Sequence, residues 1–255
     1  KKMVSKNQEK WEKLHSRETP FPDSVEINTD RKRFFEKMRE TGRKYIEHLG
    51  LEEGDTLLEL GPGNYGVNTL PAAEKGINVI GLEISRKAIK NLSNLLERKG
   101  LEEKVRLINT DINHPFPLEQ KVDAVICTRT LFHVENIENV ITESRKAVKQ
   151  GGKVHLNHIW NLDSRYMKNV KKIYRKIHGD KFFSPTPFRE IKEAGVKPGQ
   201  ITGYSWNIWK KLRRASVFIL GIKGSIITEK IRKKTLKHQT KDIRSCEEWD
   251  IEFRV

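Results

Sequence analysis

Three glycines and one distant acid form the first pattern in this sequence that has a chemical meaning. Gly61, Gly63 and Gly66 fit the spacing GxGxxG, and Glu83 lies 20 residues beyond Gly63. Glycine is needed where the backbone must approach a ligand without a Cβ between them. An acid at the end of the next strand can accept hydrogen bonds from both ribose hydroxyls of an adenosine. Because dehydrogenases and other nucleotide binders share the glycine spacing, it predicts an adenosine ligand without choosing among them.

Glu59 narrows the choice of ligand. It lies two residues before Gly61, near the end of a short apolar run. A carboxylate that faces the cavity there would repel a pyrophosphate but suits a ligand with an amino cation and a sulfonium. Two unit charges about 4 Å apart interact by roughly 4 kcal/mol at an effective dielectric near 20. The alternative for Glu59 is an acid that faces outward or is paired with a helix dipole. The alternative for Glu83 is a surface carboxylate at the end of its strand.

Strands and helices alternate around these residues. The strands are predicted at TLLEL, NVIGLEIS, KVRLINTD, VDAVICTRTLFHV and GGKVHLNHI, and the helices at 30–49, 67–75, 85–99 and 136–149. Such alternation is typical of βαβ units, with a parallel sheet covered on both faces, and right-handed crossovers favour a doubly wound topology. QITGYSWNI and SVFILGIKG lie too close together for a helical crossover, so we expect an antiparallel hairpin there.

The segments ELGPGNYG, GLEIS, NTDINHPFP, VDAVICTRTLFHV and GGKVHL occur in this order over about residues 55–160. Together they resemble the class I S-adenosylmethionine-dependent methyltransferases, and among them the enzymes that act on small molecules. The resemblance implies an α/β fold: a doubly wound, seven-stranded, mostly parallel sheet with helices on both faces and an antiparallel last strand. It also implies S-adenosylmethionine as the cofactor. The motifs identify the superfamily and not a substrate.

The resemblance assigns roles to residues of the cofactor site. Residues 59–66 would wrap the methionine part, and Thr128, just past the fourth strand, would lie beside it. Glu83 would hold the ribose, with Ile84 against the adenine.

The adenine amino group would face Asp111 at the end of the third strand, with Ile112 and Asn113 alongside. In one departure from the family pattern, Asn64 and Tyr65 displace the usual third small residue of the loop. Tyr65 would then cover the cofactor or narrow the substrate channel; a surface aromatic is the alternative.

His133 is the best candidate for a general base. Methyl transfer from a sulfonium is a direct displacement that positioning accelerates, and it requires no metal. A base is needed only if the acceptor enters protonated. His133 follows the fourth strand, at the sheet edge where ligands bind, and its ordinary pKa near 6.5 suits the task. A structural or solvent-exposed histidine is the alternative. The eight histidines include no convincing metal-binding spacing with an acid.

Three segments organise the chain. Residues 1–49 are predicted as an N-terminal arm and helix that cap the substrate, 50–224 as the Rossmann-like domain with 160–188 as an inserted cap, and 225–255 as a charged tail. Both cap segments carry aromatic residues: Trp11, Phe21, Trp160, Tyr166, Phe182, Phe183 and Phe188. We expect a small or medium-sized methyl acceptor beneath them.

The net charge of +16 is concentrated in the last third of the chain. Residues 1–49 carry +4 (13 basic, 9 acidic), residues 50–160 carry −1 (14 and 15), and residues 161–255 carry +13 (23 and 10). The excess suits an anionic acceptor or a lipid headgroup. The alternatives are an RNA methyltransferase that uses residues 161–255, and a non-catalytic cofactor-binding relative. The sequence leaves the oligomeric state open.

Several other classes of protein are disfavoured. The longest strongly apolar run, SVFILGI, is far shorter than the roughly 20 residues that span a bilayer, and KKMVSKNQEK has no apolar signal region. Cys127 and Cys246 form no metal-binding pair, and Cys127 is predicted as a small buried filler. We expect a cytoplasmic protein without a transmembrane segment.

Overall fold

The computed structural model describes residues 6–17, 29–160, 186, 188–197, 200–204 and 248–255. They fall into two compact units. The first comprises the described residues of Lys1–Thr130, Asn139–His155 and Phe253–Val255, and the second those of Leu131–Glu138 and Leu156–Glu252. None of the helices in these ranges has the length and apolarity that a bilayer crossing requires.

The order of elements alternates as predicted through the middle of the chain. The described helices are α1 (Lys6–Arg17), α2 (Thr29–Leu49), α3 (Thr69–Glu74), α4 (Arg86–Glu97), α5 (Ile137–Ala147) and α6 (Phe188–Glu193). The strands are β1 (Thr56–Leu60), β2 (Asn78–Glu83), β3 (Val105–Asn109), β4 (Val122–Cys127), β5 (Val148–Trp160), β6 (Ile201–Tyr204) and β7 (Glu248–Arg254).

The strands form one sheet in the order β3-β2-β1-β4-β5-β7-β6. β1 pairs in parallel with β2 and with β4, and β2 pairs in parallel with β3. β6 and β7 are antiparallel. The predicted α/β fold with a mostly parallel sheet and an antiparallel last strand is therefore confirmed. The order reverses between β1 and β4, and open α/β sheets bind ligands at such a switch point, beyond the carboxyl ends of the strands.

One face of the sheet in the first unit packs against α2 and α3. Leu57 of β1 and Ile126 of β4 share a buried cluster with Ile46 and Leu49 of α2. Because side chains alternate along a strand, Glu59 lies on the same face as Leu57, at the carboxyl end of β1. A cluster of Leu70, Leu92, Leu95 and Leu96 anchors α4. These clusters fix the strand ends from which the site is built.

The ends of several helices differ from the prediction. Ser85 caps α4 as expected, since its Oγ accepts a hydrogen bond from Ala88 N at 3.1 Å. α3 begins at Thr69 rather than at residue 67, so Pro71 lies in its first turn, where its missing N–H costs nothing. α5 ends at Ala147, and Val148 already belongs to β5.

The predicted charged tail is wrong for its last part, because Glu248–Arg254 is strand β7 of the sheet. Ile251 and Phe253 are buried at strand spacing while Arg254 is exposed, a short alternation that the many charges upstream obscure. Val255 N also donates to Gly152 O at 3.1 Å. The described partner of β6 is therefore β7. The predicted hairpin partner at 216–224 and nearly all of the predicted cap at 160–188 lie outside the described residues.

Candidate active site

The loop after β1 leaves open space beside one of its three glycines. All three have positive φ, at 72° for Gly61, 64° for Gly63 and 50° for Gly66. A Cβ on Gly61 would lie 2.5 Å from Thr130 Oγ1, and one on Gly66 would lie 2.7 Å from Leu92 Cδ1. A Cβ on Gly63 would meet nothing within 4 Å. Packing thus requires glycine at the outer two positions, and the backbone at Gly63 is where a ligand can approach.

Glu83 lies beside that open position. Its side chain is only 5% exposed. Oε2 accepts a hydrogen bond from Gly63 N at 3.0 Å, and Oε1 accepts one from Ser85 N at 2.9 Å. Burial raises the pKa of Glu83 to about 7, although the backbone hydrogen bonds oppose the shift. A carboxylate has about four lone-pair sites, so these bonds leave it acceptor capacity. That Glu83 holds the two hydroxyls of a ribose stays a prediction.

Glu59 is more enclosed than the sequence suggested. It is 2% exposed, and its oxygens accept hydrogen bonds from Asn68 Nδ2 at 2.7 Å and from Thr69 Oγ1 at 2.5 Å. Burial raises the pKa of Glu59, and these bonds oppose the rise. A cation brought close to Glu59 would lower that pKa and favour the ionised form, so Glu59 can act on a ligand by charge rather than through an open surface.

Asn68 and Thr69 are site residues that the sequence reasoning missed. Asn68 Nδ2 also donates to Thr128 Oγ1 at 2.8 Å, so one amide ties the end of β1 to the end of β4. The signal was present for Asn68, because an asparagine directly before a helix is a typical capping residue; Thr69 is the first residue of that helix. Asn68 is the N-cap residue of α3, yet its side chain makes no capping bond and turns to Glu59 instead.

The loop after β4 is held against the glycine loop. Thr130 Oγ1 lies 3.3 Å from both Gly61 O and Thr128 O, so its single hydroxyl proton is shared between the two carbonyls. Arg129 between the two threonines has a φ of 60°, which an L residue adopts at a cost of about 1 kcal/mol. Cys127 is buried as predicted, and burial followed by the charge of Glu59 raises the pKa of its thiol far above the usual range. It is a packing residue and no nucleophile.

The predicted adenine-facing residues follow β3 at a short distance. β3 ends at Asn109, so Asp111 lies in the loop rather than at the strand end. Asp111 Oδ1 accepts hydrogen bonds from Asn113 N at 3.0 Å and Asn113 Nδ2 at 2.8 Å, and Ile112 is buried. Asn109, which the sequence reasoning missed, donates to Glu83 O at 3.0 Å and Ile84 O at 2.8 Å. It therefore fixes the backbone at the end of β2.

Helix α1 reaches the same edge of the site. Glu12 accepts hydrogen bonds from Arg86 N at 2.7 Å and Lys87 N at 2.9 Å, and from Ser85 Oγ at 3.2 Å. Its carboxylate thus satisfies free amides at the start of α4, next to Glu83. Gln8 Nε2 donates to Asn109 Oδ1 at 3.2 Å. The predicted arm contains an ordered helix here, and the sequence reasoning gave Glu12 no role.

His133 lies in a short 3₁₀ turn, Leu131–His133, and is half-buried. It belongs to the second unit, whereas the cofactor candidates belong to the first. Its role as a general base stays a prediction, as does the covering role of the half-buried Tyr65.

Comparison with known proteins supplies the family of this site. Residues 58–156 match the family model described as "Methyltransferase domain". The sterol 24-C-methyltransferase of Pneumocystis carinii is 28% identical over 60% of this chain, and a ubiquinone biosynthesis O-methyltransferase of Dechloromonas aromatica is 29% identical over 60%. The match spans 41% of the first protein and 69% of the second.

The fold is similar to that of solved methyltransferases. The structure of geranyl diphosphate C-methyltransferase from Streptomyces coelicolor A3(2), solved with S-adenosyl-L-homocysteine, aligns with a TM-score of 0.65 at 16% identity over 99% of both chains. A putative sarcosine dimethylglycine methyltransferase from Galdieria sulphuraria aligns with a TM-score of 0.57 at 14% identity, over 86% of this chain and 84% of that one. Residues 58–156 are therefore a methyltransferase domain of the class I superfamily, whose cofactor is S-adenosylmethionine.

Proposed function

We propose that this chain transfers a methyl group from S-adenosylmethionine to a small or medium-sized acceptor, anionic acceptors included, by direct displacement. The observation that carries the proposal is the pairing of Glu83 with the open backbone at Gly63, 20 residues apart in sequence and 3.0 Å apart in space. A carboxylate fixed beside a glycine loop suits the ribose of an adenosine cofactor.

The charge of Glu59 favours this cofactor over a dinucleotide. Among the described residues, the hydrogen-bond donors to Glu59 are the neutral side chains of Asn68 and Thr69, and no cation contributes to its pKa. A buried charge is costly unless it is paired. S-adenosylmethionine brings an ammonium and a sulfonium to this position, whereas a pyrophosphate would bring more negative charge.

The chain's own residues would bind the cofactor and align its methyl group with the acceptor. S-adenosylmethionine, when bound, supplies an electrophilic methyl group on a sulfonium. The loop at residues 59–66 and Glu83 would hold its two ends, so that the methyl carbon has a fixed position toward the acceptor. If the acceptor arrives protonated, the His133 imidazole would take that proton as the new bond forms. An acceptor that arrives as an anion or a thioether needs no such base.

The names of the relatives support a small acceptor. They are methyltransferases of sterols, of ubiquinone biosynthesis and of demethylmenaquinone. These acceptors are all small molecules rather than proteins or nucleic acids, and they differ in the atom that is methylated. We therefore propose the class of acceptor and leave its identity to experiment.

Calorimetric titration tests the cofactor half of the proposal. S-adenosylmethionine and S-adenosylhomocysteine should bind, Glu83→Gln should weaken both at least about tenfold by removing a charged acceptor, and NAD should not compete. Glu97→Ala is the matched control, because Glu97 is an exposed glutamate on α4. Absence of binding, or equal affinity after Glu83→Gln, would contradict the proposal. Methyl-labelled cofactor with a phenol, an isoprenyl diphosphate, a sterol or RNA then tests the acceptor class.

A further inference from the structure

The side chain of Asn68 is buried with one of its polar atoms unsatisfied. It is 0% exposed, and its Nδ2 donates to Glu59 Oε1 at 2.7 Å and to Thr128 Oγ1 at 2.8 Å. Its Oδ1 is buried and has no hydrogen-bond partner. The orientation of the amide follows from Glu59, because the reverse orientation would set the Asn68 oxygen against a carboxylate oxygen.

An unsatisfied buried carbonyl is an exception that needs a reason. The large majority of buried side-chain polar atoms in folded proteins have a hydrogen-bond partner. A buried atom without one has lost its hydrogen bonds to water and gained none from the protein, which costs free energy. Asn68 Oδ1 can only accept a hydrogen bond. The missing partner is therefore a donor.

Glu59 lacks a cationic partner among the described residues. It is buried, its hydrogen-bond donors are neutral, and desolvation is the largest cause of its raised pKa. The missing charge and the missing donor are close together, because the Asn68 amide touches Glu59 with its nitrogen and leaves its oxygen unbonded. A single ammonium group would supply both.

The position of Asn68 identifies which part of the cofactor could supply that group. Asn68 lies two residues after Gly66. It links the end of β1 to Thr128 at the end of β4, the point where the strand order reverses. Glu83 already suits the ribose hydroxyls. The sulfonium has no N–H, and the carboxylate of the methionine part can only accept. The ammonium is the one donor of that part.

We propose that Asn68 Oδ1 accepts a hydrogen bond from the ammonium of the cofactor's methionine part, with the Glu59 charge acting through the Asn68 amide. The inference rests on the proposed function, and it changes the expected role of Glu59. Glu59 orients and polarises Asn68, and Asn68 makes the contact.

The test compares ligands that differ only in the amino-acid part. S-adenosylhomocysteine carries the ammonium, its des-amino analogue lacks only that group, and 5′-methylthioadenosine lacks the whole amino-acid part. Asn68→Ala should weaken S-adenosylhomocysteine at least about tenfold, while 5′-methylthioadenosine binds within about twofold of wild type. The des-amino analogue should bind wild type and variant about equally, as a double-mutant cycle requires.

Two further variants separate this contact from a structural role. Asn68→Ser keeps a hydroxyl that can donate to Glu59 and guards against a failure of Asn68→Ala to fold. Glu83→Gln should weaken all three ligands, because they share the ribose. Equal weakening of S-adenosylhomocysteine and 5′-methylthioadenosine in both Asn68 variants, or weakening of neither, would overturn the inference. If the wild type bound none of the ligands, the proposed function itself would fail.

Discussion

At the scale of single residues, two buried carboxylates differ in their hydrogen-bond donors and therefore in what they can do for a ligand. Glu59 and Glu83 both lie near the carboxyl ends of their strands, both are nearly inaccessible, and both have raised pKa values. Glu83 accepts hydrogen bonds from backbone N–H groups, whereas Glu59 accepts them from the side chains of Asn68 and Thr69 at the start of α3. The sequence predicted both acids from spacing. It could not predict that the Asn68 side chain donates a hydrogen bond to Glu59, because that contact depends on side-chain direction.

Cofactor affinity should fall as the pH drops below neutral. The pKa of Glu83 is about 7 in the free protein, against 4.5 for an ordinary glutamate. Ribose hydroxyls donate to the ionised form, so binding lowers this pKa and releases a proton. We therefore expect the Kd of S-adenosylhomocysteine to be constant above pH 7 and to rise below it, by up to about tenfold per pH unit. Calorimetry from about pH 8.5 to about pH 5.5 measures the profile.

Glu83→Gln is the control for that profile. The variant should bind more weakly and lose most of the pH dependence. A flat profile in the wild-type protein would contradict the assignment of Glu83. The same raised pKa means that the free native state binds more protons than the unfolded chain between about pH 4.5 and 7. This group therefore makes the free protein less stable as the pH rises through that window.

At the scale of elements, local signals predicted the middle of the chain and missed both ends. The capping serine and the leucine stripe of α4 lie within one helix, so spacing reveals them. Glu12 of α1 acts on amides 74 and 75 residues away, and β7 joins the sheet from the end of the chain. Contacts over such separations depend on the assembled sheet, which a reading by local pattern does not contain.

Removing the Glu12 carboxylate should loosen the start of α4. Glu12→Ala would leave the N–H groups of Arg86 and Lys87 without their acceptor, at a cost of about 1 kcal/mol. Hydrogen exchange at those two amides should accelerate about fivefold, and α1 should exchange faster as well.

Glu9→Ala is the matched control, because Glu9 is an exposed glutamate on the same helix. It should leave exchange at the start of α4 unchanged. Equal protection of Arg86 and Lys87 in Glu12→Ala and wild type would show that α1 does not support α4 in solution.

At the scale of the whole molecule, charge and cofactor chemistry occupy different parts of the sequence. Residues 50–160, which contain the methyltransferase domain, carry a net charge of −1, while residues 161–255 carry +13. The net charge of +16 is therefore no guide to the cofactor site. It bears on the last third of the chain, most of which lies outside the described residues, and on the acceptor that this part would meet.

Neutralising part of that charge should separate acceptor use from cofactor binding. In a variant with Lys171→Gln, Lys172→Gln and Arg175→Gln, we expect methyl transfer to an anionic acceptor to fall about tenfold, while the Kd of S-adenosylmethionine stays within about twofold of wild type. The matched control changes three exposed lysines of the first unit, Lys37, Lys90 and Lys121, to glutamine. Loss of cofactor affinity in the first variant alone would place the basic residues at the cofactor.

Filter binding of RNA in a salt series completes the test, because a steep salt dependence from several phosphate contacts would favour the RNA alternative over a small anionic acceptor.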